Sequence, residues 1–156
     1  MKALDELIAH VPTFAGLTDP QLKLIAGCGR NRHIDAGQML FSEGEPADTF
    51  FLIRRGLVAL EVHAPGRGPL RIETLAHGEV VGWSWLFEPY RWQLDARTLE
   101  PCELIEFDAA CLRGKVQDDH ELGYQLMSRF AANVISRLQA TRFQLLDVYG
   151  KSEIPA

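Results

Sequence analysis

Apolar positions follow three rhythms along the chain. Up to about residue 32 they recur at helical spacing: Leu4, Leu7, Ile8 and Val11 form one group, and Leu22, Leu24 and Ile25 form a second. Thr18, with Gln21 three residues on and Pro20 between them, has the pattern of a capping box, so the spacing predicts short helices here. From His33 to Phe107 the texture changes to short runs of β-branched, aromatic and leucine residues. Gly37, Gly44, Gly56, Gly66, Gly68, Gly78 and Gly82 punctuate these runs at turn-like intervals. That pattern predicts a roll or barrel of short strands. Phe50 to His63, FFLIRRGLVALEVH, reads as two strands turning at Gly56, and GRGP at residues 66 to 69 reads as a hairpin tip.

Beyond about residue 108 glycine and proline thin out and the helical period returns. A short helix is expected near Ala109 to Gly114 and a long one from about Asp119 to Tyr149. Met127, Ala131, Val134, Leu138, Thr141, Leu145 and Val148 alternate spacings of four and three, a heptad seam. Such a seam zips two chains together or lies on the chain's own roll. Leu126, Phe130, Ile135, Phe143 and Leu146 widen the apolar face enough for both. A helix of about 30 residues spans about 45 Å and would overhang a small roll, which favours a homodimer.

Composition narrows the class. With 156 residues, 47% hydrophobic and 24% charged, the chain is expected to form one globular domain over residues 1–156, able to bury about 70% of its unfolded surface without a metal or disulfide staple. Cys28, Cys102 and Cys111 are an odd number at wide spacing, so neither a disulfide framework nor a zinc site is expected, and a reducing cytoplasm fits. The acid-bearing N-terminal stretch does not read as a signal peptide. No apolar run approaches about 20 residues, so no membrane association is expected. Sixteen Lys and Arg against 21 Asp and Glu, a formal charge of −5, is the wrong balance for a dedicated nucleic-acid binder.

Gly37 to Leu60, GQMLFSEGEPADTFFLIRRGLVAL, carries a glycine, an apolar pair, a glycine–acid turn, an Asp two residues before an aromatic, an apolar strand and a further glycine turn. This stretch resembles the β-roll signature of cyclic nucleotide-binding domains, as in catabolite activator and FNR-type regulators and in protein kinase A regulatory subunits. The resemblance implies an α+β fold of N-terminal helices, an antiparallel jelly-roll-like β-roll and a long C-terminal helix. It also implies a phosphate cassette within residues 78–98. In that family a glutamate takes the ribose hydroxyl, and an arginine with helix N-terminal amides takes the cyclic phosphate. Gly78 and Gly82 match the glycines, and Leu86 and Phe87 the short apolar helix. The ribose glutamate falls on Trp83, with Glu79 too early in the turn to replace it. Counting back from Cys102 to Phe107 puts the arginine on Trp92 and the small hydroxyl residue on Gln93; counting back from Ala96 puts it nearer Tyr90. Arg91 lies one residue from either register, and in an extended strand that offset turns it to the other face unless a bulge intervenes.

Gly82, Trp83, Ser84, Arg91, Trp92 and Gln93 are therefore the candidate ligand-contacting residues, and the cofactor is left open, a cyclic nucleotide being one candidate. Thr141 joins them, because RLQAT, Arg137 to Thr141, resembles the segment by which the activator's dimer helix reaches the nucleotide base. Trp83, Trp85 and Trp92, with Tyr90, are expected to crowd the phosphate place. They either plug a pocket that has lost its ligand or form an aromatic box for a planar ligand, with Arg91, Arg71 or Arg97 meeting negative charge.

Other chemistry lacks its residues. No HxH pair exists for a cupin-like metal site, and His10, His33, His63, His77 and His120 are scattered; a haem ligand such as His77 is a minor alternative. Three cysteines fall short of an iron–sulfur ligand set. Ser84 has no evident base and Cys111 reads as a small hydrophobe on an apolar helix face, so no enzyme is expected. Leu145 to Lys151, LLDVYGK, resembles the family's hinge into a helix-turn-helix domain, but only SEIPA follows, so no DNA contact is expected. The expectation is a stand-alone regulatory domain that senses a small ligand and signals through a separate partner protein. The alternatives are a ligand-free dimeric interaction module and a truncated DNA-binding regulator.

Overall fold

The computed structural model describes residues 3–153, with side chains as far as Tyr149. Helices α1 (Leu4–Ile8) and α2 (Asp19–Ala26) open the chain. The capping box forms as expected: the Thr18 hydroxyl accepts from the Gln21 amide at 3.3 Å, and the Gln21 side chain accepts from the Thr18 amide at 3.0 Å. Eight strands follow: β1 (Gly29–Ile34), β2 (Met39–Phe41), β3 (Thr49–Arg55), β4 (Val58–Ala64), β5 (Gly68–Leu75), β6 (Val80–Val81), β7 (Asp95–Thr98) and β8 (Cys102–Asp108). They make two four-stranded antiparallel sheets, ordered β1-β8-β3-β6 and β2-β7-β4-β5. Helices α3 (Ala109–Asp118) and α4 (His120–Glu153) complete the α+β architecture expected from the sequence.

The turn at Gly56 differs from a simple hairpin, because β3 and β4 belong to opposite sheets and the chain turns a corner between them. Gly56 has φ 107°, and a Cβ there would lie 2.6 Å from the Cys102 sulfur and 2.8 Å from the Pro101 carbonyl oxygen, so the corner has room only for glycine. The GRGP tip does close a hairpin: β4 and β5 pair as far as Ala64 with Gly68, and the Arg67 amide donates to the Ala64 carbonyl at 3.0 Å.

Phe50 to Ile53 are all buried, as expected of a strand covered on both faces. Phe50 stacks on Trp85 at 4.4 Å and on Phe107 at 4.7 Å, and Phe130 of α4 meets both Phe50 and Trp85 edge-on. This aromatic cluster joins the roll to the long helix. Helix α3 runs past Gly114 to Asp118, held by Arg113 donating to the Ala47 and Trp85 carbonyls at 3.1 and 2.8 Å and by Lys115 donating to the Leu24 carbonyl at 2.7 Å.

Leu122, Leu126 and Phe130 bury one stripe of α4 against the roll, whereas every residue from Leu138 to Tyr149 is exposed. The helix thus overhangs the roll. It continues to Glu153, past the expected end at Tyr149, while Ile154 to Ala156 of the SEIPA segment lie outside the described residues. None of the helices among the described residues is long and apolar enough to cross a membrane.

One expectation is corrected. Cys28 and Cys111, read as unpaired thiols and Cys111 as a small hydrophobe, are joined by a disulfide, and Cys102 alone remains a free, buried thiol. The 83 residues separating the pair hid the contact, because the roll between them returns the chain through β8 to the start of β1.

Candidate functional site

The cassette lies between β6 and β7. Gly82 has φ 99°, and a Cβ there would stand 2.5 Å from two ring carbons of Trp92. The missing side chain is what admits the indole. Trp92 is buried and stacks on Phe41 of β2 at 3.8 Å with 10° between the ring planes. Its backbone is fixed before β7 begins by the Trp92 amide donating to the Glu45 carbonyl at 3.0 Å and the Gly44 amide donating to the Trp92 carbonyl at 2.8 Å; Trp92, Ala96 and Thr98 are buried and Leu94 half-buried, while Arg91 is exposed. Trp92 thus points inward and Arg91 outward.

The cavity left beside Trp92 holds only about 30 Å³ and is lined by Gly82, Trp83, Ser84, Trp92, Gln93 and Arg137, with Phe41, Leu60 and Leu94 behind. Its one lining cation is Arg137. That guanidinium lies 4.6 Å from the Trp83 ring centroid, donates from Nη2 to the Val80 carbonyl at 2.8 Å and faces Glu73 at 3.7 Å. Its Nη1 is buried without a hydrogen-bond partner. Burial draws the Arg137 pKa below the usual arginine range, and Glu73 and Glu79 oppose that shift.

Five candidates, Gly82, Trp83, Ser84, Trp92 and Gln93, therefore meet at one place, and two do not. Arg91 points outward and donates to the Gly44 carbonyl at 2.9 Å. Thr141 is exposed and turns its hydroxyl back onto the Arg137 carbonyl at 2.9 Å. The other cations considered also lie elsewhere: Arg97 pairs with Glu61 at 3.2 Å, and Arg71 is exposed on β5. Nor do all the aromatics gather here. Trp85 belongs to the central cluster, and Tyr90 lies under the Arg113 guanidinium at 4.6 Å. Arg137, missed as a site residue, stands first in the RLQAT segment, but its one-dimensional spacing does not separate it from any solvated helix arginine.

Of the scattered histidines, His33 has a defined electrostatic setting: its ring meets Glu103 at 2.7 Å and Asp35 at 3.3 Å, and the Glu103 hydrogen bond and charge raise its pKa above 6.5. No group of three or more His, Cys, Asp or Glu among the described residues could hold a metal ion.

The residues present do not fit a cyclic nucleotide as the cassette stands. No carboxylate and no arginine from the cassette itself enters the cavity, and the Trp92 indole fills the space against Gly82. Burial of an indole, about 150–250 Å² at about 25 cal/mol per Å², is worth roughly 4–6 kcal/mol. A ligand that displaced Trp92 would forgo that much before gaining any contact, a thousandfold or more in affinity at about 1.4 kcal/mol per decade.

A roll of two antiparallel sheets, a glycine-bounded cassette and a long helix closing over it define a β-roll regulatory domain. The cyclic nucleotide-binding domain family matches residues 31–119, more than half of the chain, and the chain belongs to that family. It is similar to a proposed cyclic nucleotide-binding protein from Geobacter metallireducens GS-15, 30% identical with a TM-score of 0.79 over 88% of this chain and 99% of that one. A cyclic nucleotide-binding domain from Methylobacillus flagellatus shares the fold at 16% identity, TM-score 0.77, over 93% of this chain and 82% of that one. The chain is also 24% identical over 145 residues to the CRP-like cAMP-activated global transcriptional regulator of Mycobacterium tuberculosis; this covers 93% of the chain but 63% of that regulator, less than two thirds of its length.

Proposed function

We propose that this domain is a dimeric regulatory module whose roll is closed by its own Trp92 rather than by a cyclic nucleotide, and that it acts through the long helix on a partner protein. The observation that carries this reading is the Trp92–Phe41 stack across Gly82, which leaves about 30 Å³ where a cyclic phosphate would need to enter. Dimerisation is supported by the exposed apolar face of α4, where Leu138, Phe143, Leu145 and Leu146 are between 49% and 69% exposed. Similarity to regulators agrees with a signalling role.

A second reading, sensing of a different ligand, is favoured by Arg137. A buried guanidinium with one unpartnered nitrogen beneath Trp83 suits an anionic or planar molecule that slips under the indole.

Isothermal titration with cyclic AMP and cyclic GMP tests the main reading, beside mass spectrometry for a co-purified small molecule. No saturable heat at micromolar ligand and no co-purified molecule are expected. Saturable binding would overturn the closed roll, and a co-purified aromatic or anionic molecule would establish the second reading. The double substitution Trp92→Arg with Trp83→Glu is expected to create cyclic AMP affinity, since it empties the phosphate place and supplies both missing charges. Unchanged behaviour in a folded double variant would overturn the assignment of Trp92 to that place.

A further inference from the structure

The Cys28–Cys111 disulfide lines none of the cavity at the cassette. Cys28 stands between α2 and β1, and Cys111 is the third residue of α3, with 5.9 Å between their Cα atoms. Cys28 is buried at 7% exposure and Cys111 is half-buried. The pair forms one wall of an open cleft of about 550 Å³, whose other walls carry Arg30, Asp48, Glu106 and Asp108. This disulfide therefore faces a polar, solvent-reachable cleft through Cys111. A staple sealed in the core would not.

The surroundings suit a pair that opens as well as closes. Lys115 lies one turn along α3 from Cys111, and its ammonium reaches across to the α2 end, donating to the Leu24 carbonyl and lying 2.8 Å from where a Cβ of Gly27 would be. It sits beside the residue preceding Cys28, so the α2 end that carries this half of the pair also carries a positive charge. The local frame does not depend on the bond: the Asp108 amide donates to the Cys28 carbonyl at 2.8 Å, and the Cys111 amide donates to the Asp108 carboxylate at 3.0 Å. Opening the disulfide thus leaves both cysteines close enough to close again.

We infer that Cys28–Cys111 is a thiol–disulfide exchange site for low-molecular-weight thiols of the glutathione class, which loosens α3 at the α2–β1 corner when reduced and locks it there when oxidised. A thiolate attacks the Cys111 sulfur through the cleft, the Cys28–Cys111 bond breaks and Cys28 leaves as a thiolate that takes up a proton. A second thiolate then attacks the small-molecule sulfur of the mixed disulfide, its bond to Cys111 breaks, and Cys111 leaves as a thiolate that takes up a proton while the oxidised small-molecule disulfide departs. Two electrons and two protons pass from two thiols to the protein, and the reverse sequence with the oxidised molecule re-forms the bond. Because α3 also holds the Trp85 and Ala47 carbonyls through Arg113, the lock acts on the element that leads into α4.

The test equilibrates the intact protein over a range of reduced to oxidised glutathione, traps free thiols by alkylation and counts them by mass. One concerted transition of Cys28 and Cys111 within that range is expected. The reduced form should lose about 10 °C or more in Tm, as for a crosslink closing a loop of this length. Amide exchange at residues 111–116 should speed at least tenfold on reduction, and the β3 and β8 amides, which open only with the whole fold, should speed in step with the fall in Tm. A Cys28→Ser variant should capture glutathione on Cys111, and a folded Cys28→Ser, Cys111→Ser double variant should show a Tm that no longer follows the glutathione ratio. A native pair that stays oxidised in excess reduced glutathione, or thiols that stay free in excess oxidised glutathione, would overturn the proposal.

Discussion

At the scale of single residues, the cassette is governed by one absent side chain. Gly82 sits at φ 99°, and its Cα lies so near the Trp92 ring that a methyl group would approach two ring carbons to 2.5 Å. Gly82→Ala therefore imposes a left-handed backbone on an L-residue and drives a Cβ into an indole wedged against Phe41. Strain and overpacking of this kind cost about 2–5 kcal/mol together. Urea denaturation should show that loss, and Trp92→Ala placed in the same chain should recover the overpacking part of it, since the two sites are in direct contact. Additive losses would show that the indole does not press on position 82. The same contact separates the two aromatic groups of the protein: Trp92 closes the cassette, whereas Trp85, three residues from Gly82, turns to the Phe50–Phe107–Phe130 cluster and holds the core.

At the scale of elements, α4 divides into a packed half and an exposed half. Its first turns bury Leu122, Leu126 and Phe130 on the roll, and its last turns carry the seam residues Leu138, Thr141, Leu145 and Val148 wholly on the exposed side. Leu138→Glu with Leu145→Glu places charges on the seam without touching the roll. Sedimentation equilibrium should find the unchanged chain dimeric and the double variant monomeric, with the Tm of the isolated roll altered by no more than about 2 °C. A monomeric unchanged chain at high concentration would remove the seam from the reading. The long C-terminal helix, the capping box at Thr18 and Gln21 and the glycine-bounded strands were all legible in the sequence, because each follows from a local period or a local backbone need. Three features were not. The corner at Gly56 reads as a hairpin until the two sheets are seen to part there. The direction of Trp92 against Arg91 hangs on a one-residue register that several countings satisfy. The Cys28–Cys111 contact spans 83 residues and depends on how β8 returns beside β1, which no local pattern encodes.

At the scale of the whole molecule, one side chain ties the cassette to the overhanging helix. Arg137 leaves α4, passes under Trp83, donates to the Val80 carbonyl of β6 and lies 3.7 Å from Glu73 of β5. Its side chain is only 14% exposed, and one of its nitrogens has no partner. For stability alone this is a poor arrangement: removing a guanidinium from water costs several kcal/mol, a single loose ion pair at 3.7 Å returns only part of it, and apolar replacements of similar shape often match or exceed a buried charge. Arg137→Met keeps the length of the side chain and discards the charge, so thermal unfolding should show an equal or higher Tm, whereas Arg137→Ala, which also empties the space beneath Trp83, should lower it. A marked fall in Tm for the methionine variant would show that the charge serves the fold. If the methionine variant is as stable as expected, the guanidinium is held in place at a cost to stability, and its value lies in joining roll to helix: a movement of Trp83 would then reach the exposed apolar face that begins at Leu138.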